Sequence, residues 1–158
     1  MAETAPYREP GFLVTKIMNP FILIMMRLGL SVWGSRILEV RGRTSGLPRR
    51  TPVNLLDLDG RQYLVSPRGE TQWVRNLRGD DGRLTLILGH RRDDRTAEEL
   101  PDSEKEPVLR SYLRRWKMEV GVFFDGVTAD STAEEILGIA PGHPVFVLSG
   151  PPPERRTS

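Results

Sequence analysis

The chain has 158 residues, 38% of them hydrophobic and 28% charged, which is enough for one soluble domain with a real core. It contains no cysteine, which excludes disulfides, thiolate zinc sites and a cysteine nucleophile, and its two histidines, His90 and His143, match no metal-ligand spacing. The net charge is +2, yet residues 41–50 alone carry four arginines and no acid. The positive charge is therefore local, which suits a small anionic ligand better than nucleic acid.

In chain order, residues 1–10 read as a flexible N-terminus. Asn19-Pro20 then resembles an N-cap with proline at the first helical position, and Phe21 to Met26 continues apolar as far as Arg27 and Gly29. That run is too short to span a bilayer. It reads as a helix on one face of the core, with peripheral membrane contact as the alternative. Arg36 to Val40 is the first predicted strand and Thr51 to Asp57 the second. Asp59-Gly60 is a tight hairpin signal that returns the chain along Gln62 to Ser66. Pro52 cannot donate to a ladder, which places it at an edge or a bulge.

Pro67 and Gly69 mark a loop, after which a short helix runs from Glu70 or Thr71 to Gly79 with Trp73, Asn76 and Leu77 on one face. Arg83 to Leu88 alternates as a strand, and the charged run Gly89 to Thr96 leads into an expected exposed edge strand toward Leu100. Glu104 to Lys117 carries the apolar stripe Leu109, Tyr112, Leu113 and Trp116 of a helix. Val120 to Val127 is a loop with aromatic potential from Phe123 and Phe124. Ser131 with Glu134 resembles a capping box that opens a short helix to Leu137, Pro144 to Ser149 is a final strand, and residues 150–158 read as a disordered tail. Residues 11–149 thus form a single expected domain. About six short strands linked early by hairpins, with three or four helices, predict an α+β fold: an antiparallel sheet curled into a small barrel with helices outside.

The stretch with most chemistry is Arg41-Gly-Arg-Thr-Ser-Gly-Leu-Pro-Arg-Arg50, a glycine-containing turn between two strands. Arginines on such a turn converge, and Ser45, Thr44 and free backbone N–H groups add neutral donors. This is a cradle for phosphate or carboxylate, which arginine matches with two-point hydrogen bonds. The plainer reading is a solvated basic hairpin tip. The segment is neither a P-loop nor a Gly-x-Gly-x-x-Gly turn, so nucleoside triphosphate and Rossmann-type dinucleotide sites have no support.

Gly42-Arg43-Thr44-Ser45-Gly46-Leu47-Pro48-Arg49, then Pro52, Ser66 with Gly69, Trp73-x-x-Asn76-Leu77-Arg78 and Pro144-Val145 resemble the deazaflavin-dependent nitroreductase family, oxidoreductases that use coenzyme F420. The resemblance spans residues 17 to 149. It implies a split β-barrel related to oxidoreductases that bind flavin mononucleotide (FMN), and a bound deazaflavin whose tail carries a phosphate and a glutamate chain. By the family pattern, Arg43, Thr44, Ser45, Gly46 and Arg49 hold the tail, with Arg68 supplying a charge where relatives often have lysine at the position of Pro67. Pro52, Asn54, Ser66, Gln72, Trp73 and Asn76 lie along the ring and its linker, and Tyr112, Trp116, Phe123 and Phe124 are candidate walls of the substrate pocket.

The implied activity is hydride transfer from reduced deazaflavin to a small electron-poor acceptor such as a quinone or nitroaromatic, with no catalytic acid, base or metal. An FMN-using relative and a non-catalytic cofactor- or lipid-binding module are the alternatives. The expected setting is cytoplasmic, with the protein as monomer or homodimer.

Overall fold

A computed structural model describes residues 34–151, the side chains at 118 and 119 apart; the N-terminal helix and most of the tail expected above lie outside this range. Six strands, β1 (Ser35–Arg41), β2 (Pro48–Leu58), β3 (Arg61–Val65), β4 (Arg83–Leu88), β5 (Arg91–Glu99) and β6 (Val145–Ser149), close into a barrel in the order β1-β2-β3-β6-β5-β4. Every neighbouring pair is antiparallel. Among the described residues three α-helices accompany them: α1 (Gln72–Gly79), α2 (Glu106–Val120) and α3 (Ala133–Ile139).

Local chemistry explains most of these elements. Asp59 (φ 50°) and Gly60 (φ 77°) supply the two left-handed residues that a tight β2–β3 hairpin needs. Helix α3 is capped one residue later than the sequence suggested, because it is Thr132, not Ser131, whose hydroxyl accepts from the Glu135 N–H at 3.2 Å. Helix α2 starts at Glu106 with Pro107 in its first turn, and Ser103 falls in the preceding 3-10 turn.

The barrel wall separates two cores. Inside lie Leu38, Val40, Leu55, Leu64, Leu84, Leu86, Phe146 and Leu148, joined by Val74 and Leu77 of α1. Outside, Leu56, Val65 and Val145 meet α2 and α3 through Val108, Leu109, Tyr112, Leu113, Trp116 and Ile136. Helix α1 therefore closes one end of the barrel interior. One expectation changes. Strand β5 is not an edge, since it pairs with β4 on one side and β6 on the other. Its charges are also engaged: Arg92 bonds Glu39 at 2.7 Å, Asp94 accepts from Thr85 at 2.6 Å, and Arg95 donates to Gln62 at 2.6 Å.

β2 is the strand that opens a site. Its residues 55–58 pair with β3, while residues 48–54 pair only with β1 among the described residues. Pro52 sits in that half-free stretch, where its missing N–H costs no ladder bond.

Candidate functional site

The arginine turn is built from its own backbone. Gly42 N–H donates to Leu47 O at 2.8 Å and Gly46 N–H to Gly42 O at 2.9 Å, with Gly46 at φ 70°, while the Leu47 N–H is taken by Ser45 Oγ at 3.2 Å. A methyl group on Gly42 would stand 2.7 Å from Ser45 Oγ, so a side chain there would have to displace the hydroxyl that holds the Leu47 N–H.

The turn rests on α1. The Arg43 N–H donates to Asn76 Oδ1 at 3.1 Å, and one Arg43 guanidinium nitrogen donates both to the same oxygen at 2.8 Å and to Gln72 Oε1 at 2.9 Å. Gln72 and Asn76 are four residues apart, one helical turn, so both carbonyls face the strand loop. Asn76 is buried, which raises the value of satisfying its amide. At the end of α1 the fit is close enough that a Cβ on Gly79 would sit 3.2 Å from that of Arg43.

The arginines thus divide by role. Arg43 is a strut, and Arg50 is held outside the barrel by Glu39 at 2.8 Å. Arg41 and Arg49 are exposed and make no hydrogen bond or ion pair among the described residues. Both fold over the turn's glycines: a methyl group on Gly46 would lie 3.5 Å from an Arg41 guanidinium nitrogen, and one on Gly42 would lie 3.6 Å from Arg49 Cγ. Two guanidinium groups without a partner among the described residues thus stand beside exposed Thr44 and Ser45. Arg41 belongs to the basic stretch read from sequence but was not assigned to the cofactor tail, because only the folded turn shows that Arg43 is occupied and that Arg41 has no partner among the described residues.

Trp73 lies at the mouth of the barrel interior, its ring 5.8 Å from that of Phe146 and tilted by 53°. Strand alternation decides which β2 side chains share its face. Thr51 pairs with Leu38 and Arg49 with Val40, both interior, whereas Arg50 pairs with Glu39 and Pro52 with Ile37 on the outer face. Arg49, Thr51 and Val53 therefore line the face that Trp73 occupies, and the side chains of Pro52 and Asn54 point the other way. That alternation is present in the sequence, but without β1 as a partner its inner face cannot be chosen.

Ser66 is fully buried, and its hydroxyl donates to Gly69 O at 2.6 Å, so it shapes the loop before α1. Arg68 lies elsewhere, lining a cleft of about 270 Å³ with Pro67, Gly69, Asp125, Gly138, Ile139, Gly142 and His143. Tyr112, Trp116 and Phe124 are core residues at 2%, 1% and 0% exposure. Their rings pack together, Tyr112–Trp116 at 4.9 Å and Tyr112–Phe124 at 6.3 Å, which removes them as pocket walls. Phe123 alone of that group keeps some exposed surface.

Two charge networks flank the site. Arg78 of α1 bonds Glu99 through two nitrogens at 2.8 and 2.6 Å and Glu70 through a third at 2.5 Å. The Glu99 hydrogen bonds raise the Arg78 pKa above its ordinary value, partial burial opposes, and Glu70 adds to the rise. Burial pushes Glu39 up, but hydrogen bonds from Arg92 and Arg50 outweigh it and hold the carboxyl below its ordinary value.

The family model for F420H(2)-dependent quinone reductases matches residues 26–126, about two thirds of the chain and including the turn, β2, the loop and α1. The chain belongs to that family. It is an oxidoreductase whose cofactor is coenzyme F420. No curated protein matches it. Among solved structures, an F420-H2 dependent reductase, FDR-A, superposes with a TM-score of 0.52 at 18% identity, over 73% of this chain and 94% of that one. A protein solved as a domain-swapped dimer gives 0.54 at 17% identity, over 85% and 98%. A member of the pyridoxinephosphate oxidase family from Clostridium acetobutylicum, related to general stress protein 26, gives 0.50 at 16% identity, over 84% and 85%. These likenesses establish the split-barrel fold. The donor set in the family's matched region also fits an anionic, planar cofactor: unpaired arginines and hydroxyls at one end, an indole at the other.

Proposed function

We propose that this F420-dependent reductase delivers hydride to a small, planar, electron-poor acceptor, a quinone or a nitroaromatic, and that the arginine turn holds the negatively charged tail of its cofactor. The observation carrying this reading is the division of labour on the turn. Arg43 fixes the turn to Gln72 and Asn76, so that the backbone carrying Arg41 and Arg49 is held in place before an anion arrives.

The chemistry supplied by the bound cofactor is donation of a hydride from its reduced ring. The residues of the chain do the rest. Arg41, Arg49, Thr44 and Ser45 anchor the tail through charge-assisted and neutral hydrogen bonds. Trp73 flanks the ring at the barrel mouth, and Thr51 and Val53 offer a semi-polar floor on the same face of β2. Binding energy gathered at the tail is used to orient the reacting end, where position alone contributes much of the rate. The acceptor takes up a hydride and then a proton from solvent, so no catalytic acid is needed. A cytoplasmic setting is in keeping with a chain free of cysteine, and the homodimer is supported by the domain-swapped structural neighbour.

The test is anaerobic turnover. Reduced F420 is mixed with the protein and a naphthoquinone or nitroaromatic, and the return of the oxidised deazaflavin absorbance is followed. Catalysed oxidation by at least one acceptor is expected. Tight binding of the reduced cofactor with no oxidation by any electron-poor acceptor would overturn the reductase reading in favour of a carrier module.

A further inference from the structure

Helix α1 has eight residues, too short to hold its own conformation in water, and Thr71 gives it no side-chain cap. Its position is set by what it touches. Val74 and Leu77, both fully buried, root one side in the barrel. On a second side Gln72 and Asn76 clasp Arg43. Arg78 lies roughly 200° round the helix from Asn76, since each residue advances about 100°. There it ties the last turn of the helix to two other segments.

All three guanidinium nitrogens of Arg78 are used. Nε and one Nη grip both oxygens of Glu99, the final residue of β5, at 2.8 and 2.6 Å, and the other Nη reaches Glu70, in the loop just before the helix, at 2.5 Å. Glu70 is itself buried. The bidentate fork fixes angle as well as distance, which a single-point contact does not. A rotation of α1 about its axis would break the fork and swing Gln72 and Asn76 away from Arg43 together.

We infer that Arg78 is a positioning residue for the anionic tail of the cofactor: with Glu99 and Glu70 it sets the rotation of α1, which through Gln72 and Asn76 seats Arg43 and so presents Arg41 and Arg49. This rests on the reading of the arginine turn as the tail cradle. In this reading Arg78 acts through the helix and not on the ligand, since each of its three guanidinium nitrogens already donates to a carboxylate.

The experiment compares two ligands, F420 and the tail-less deazaflavin that keeps ring and ribityl side chain but lacks the phosphate and glutamates. Each is titrated by fluorescence against the wild-type protein, Arg78→Met, Arg78→Lys and Glu99→Gln, with thermal unfolding measured alongside. Arg78→Met is expected to weaken F420 at least tenfold while leaving the tail-less ligand within about twofold. Arg78→Lys keeps the charge but loses the fork, and falls between. Should Arg78→Met fail to fold, Glu99→Gln carries the same comparison with a smaller selective loss. Equal weakening of both ligands, or no change in either, overturns the inference and leaves Arg78 a general stabiliser. Wild-type protein that binds both ligands equally overturns the tail cradle itself, a distinguishable failure.

Discussion

At the residue scale the account turns on which cations are free. Arg49→Ala and Arg41→Ala each remove an exposed side chain with no partner among the described residues. Each should weaken F420 about tenfold, equivalent to roughly 1.4 kcal/mol, while shifting folding stability by less than about 0.5 kcal/mol. Fluorescence titration and urea unfolding separate the two effects. Arg43→Ala should differ in kind. It strips two side-chain hydrogen bonds from Gln72 and Asn76, so it should lower stability by about 1–2 kcal/mol as well as affinity. An Arg43→Ala protein as stable as wild type would mean that the strut is not one.

Glu39 gives a pH prediction at the same scale. Its folded-state pKa lies below the ordinary value because Arg92 and Arg50 outweigh the effect of burial. Its contribution is therefore fully present above the ordinary carboxylate pKa and is lost as pH falls through the depressed one. Glu39→Gln should flatten the acid limb of the stability curve and leave the neutral region less stable than wild type. Denaturant melts across the acid range check this, and an unchanged acid limb would contradict it.

At the scale of elements, the lesson lies in what local signals could and could not say. Asp59-Gly60, the alternation of Arg83 to Leu88 and the apolar stripe of α2 all speak of their own neighbourhoods, and the strands and helices they predict are present. The edge assignment of the charged strand failed because closure of the barrel is a long-range fact: Arg92 and Arg95 find partners 53 and 33 residues away in sequence. The same limit hid the inward face of β2. Pro52 stood out by its chemistry, yet Thr51 and Val53 share the face of Trp73. Tyr112 and Trp116 stood out as aromatics and turned out to be core, as an apolar helical stripe usually is.

Closure also yields an element-scale prediction. Gly82 enters β4 against β5 so tightly that a Cβ there would lie 2.1 Å from the Ala97 carbonyl oxygen. Gly82→Ala has no flexible side chain to displace, and adds a left-handed backbone penalty at φ 77°. It should cost more than about 3 kcal/mol, since close-packed interiors resist added atoms and left-handed strain adds to that. Gly138→Ala, where a Cβ meets nothing within 4 Å, should be tolerated or mildly stabilising as a helix substitution. Melting temperatures of the pair test whether the β4–β5 junction is as rigid as the geometry requires.

At the scale of the whole molecule, the barrel, the turn and α1 form one device. The barrel orients β1 and β2, their turn carries the guanidinium groups, and α1 links the turn to the barrel mouth where Trp73 stands. The family motifs pointed to this assembly from sequence, because they record side chains that meet in space; how labour is shared among the arginines became visible only once each had a partner or lacked one. If the device serves the tail, ligand binding must depend on the tail's negative charge and must stabilise the fold, by about 2.7 kcal/mol at a hundredfold excess over Kd.

The most direct measurement is a fluorescence titration of the wild-type protein with F420 and with FMN under identical conditions. The account predicts saturable binding of F420 that weakens as salt is raised and falls about tenfold in Arg49→Ala, with FMN markedly weaker. FMN bound more tightly than F420, or F420 affinity indifferent to both salt and Arg49, would contradict it.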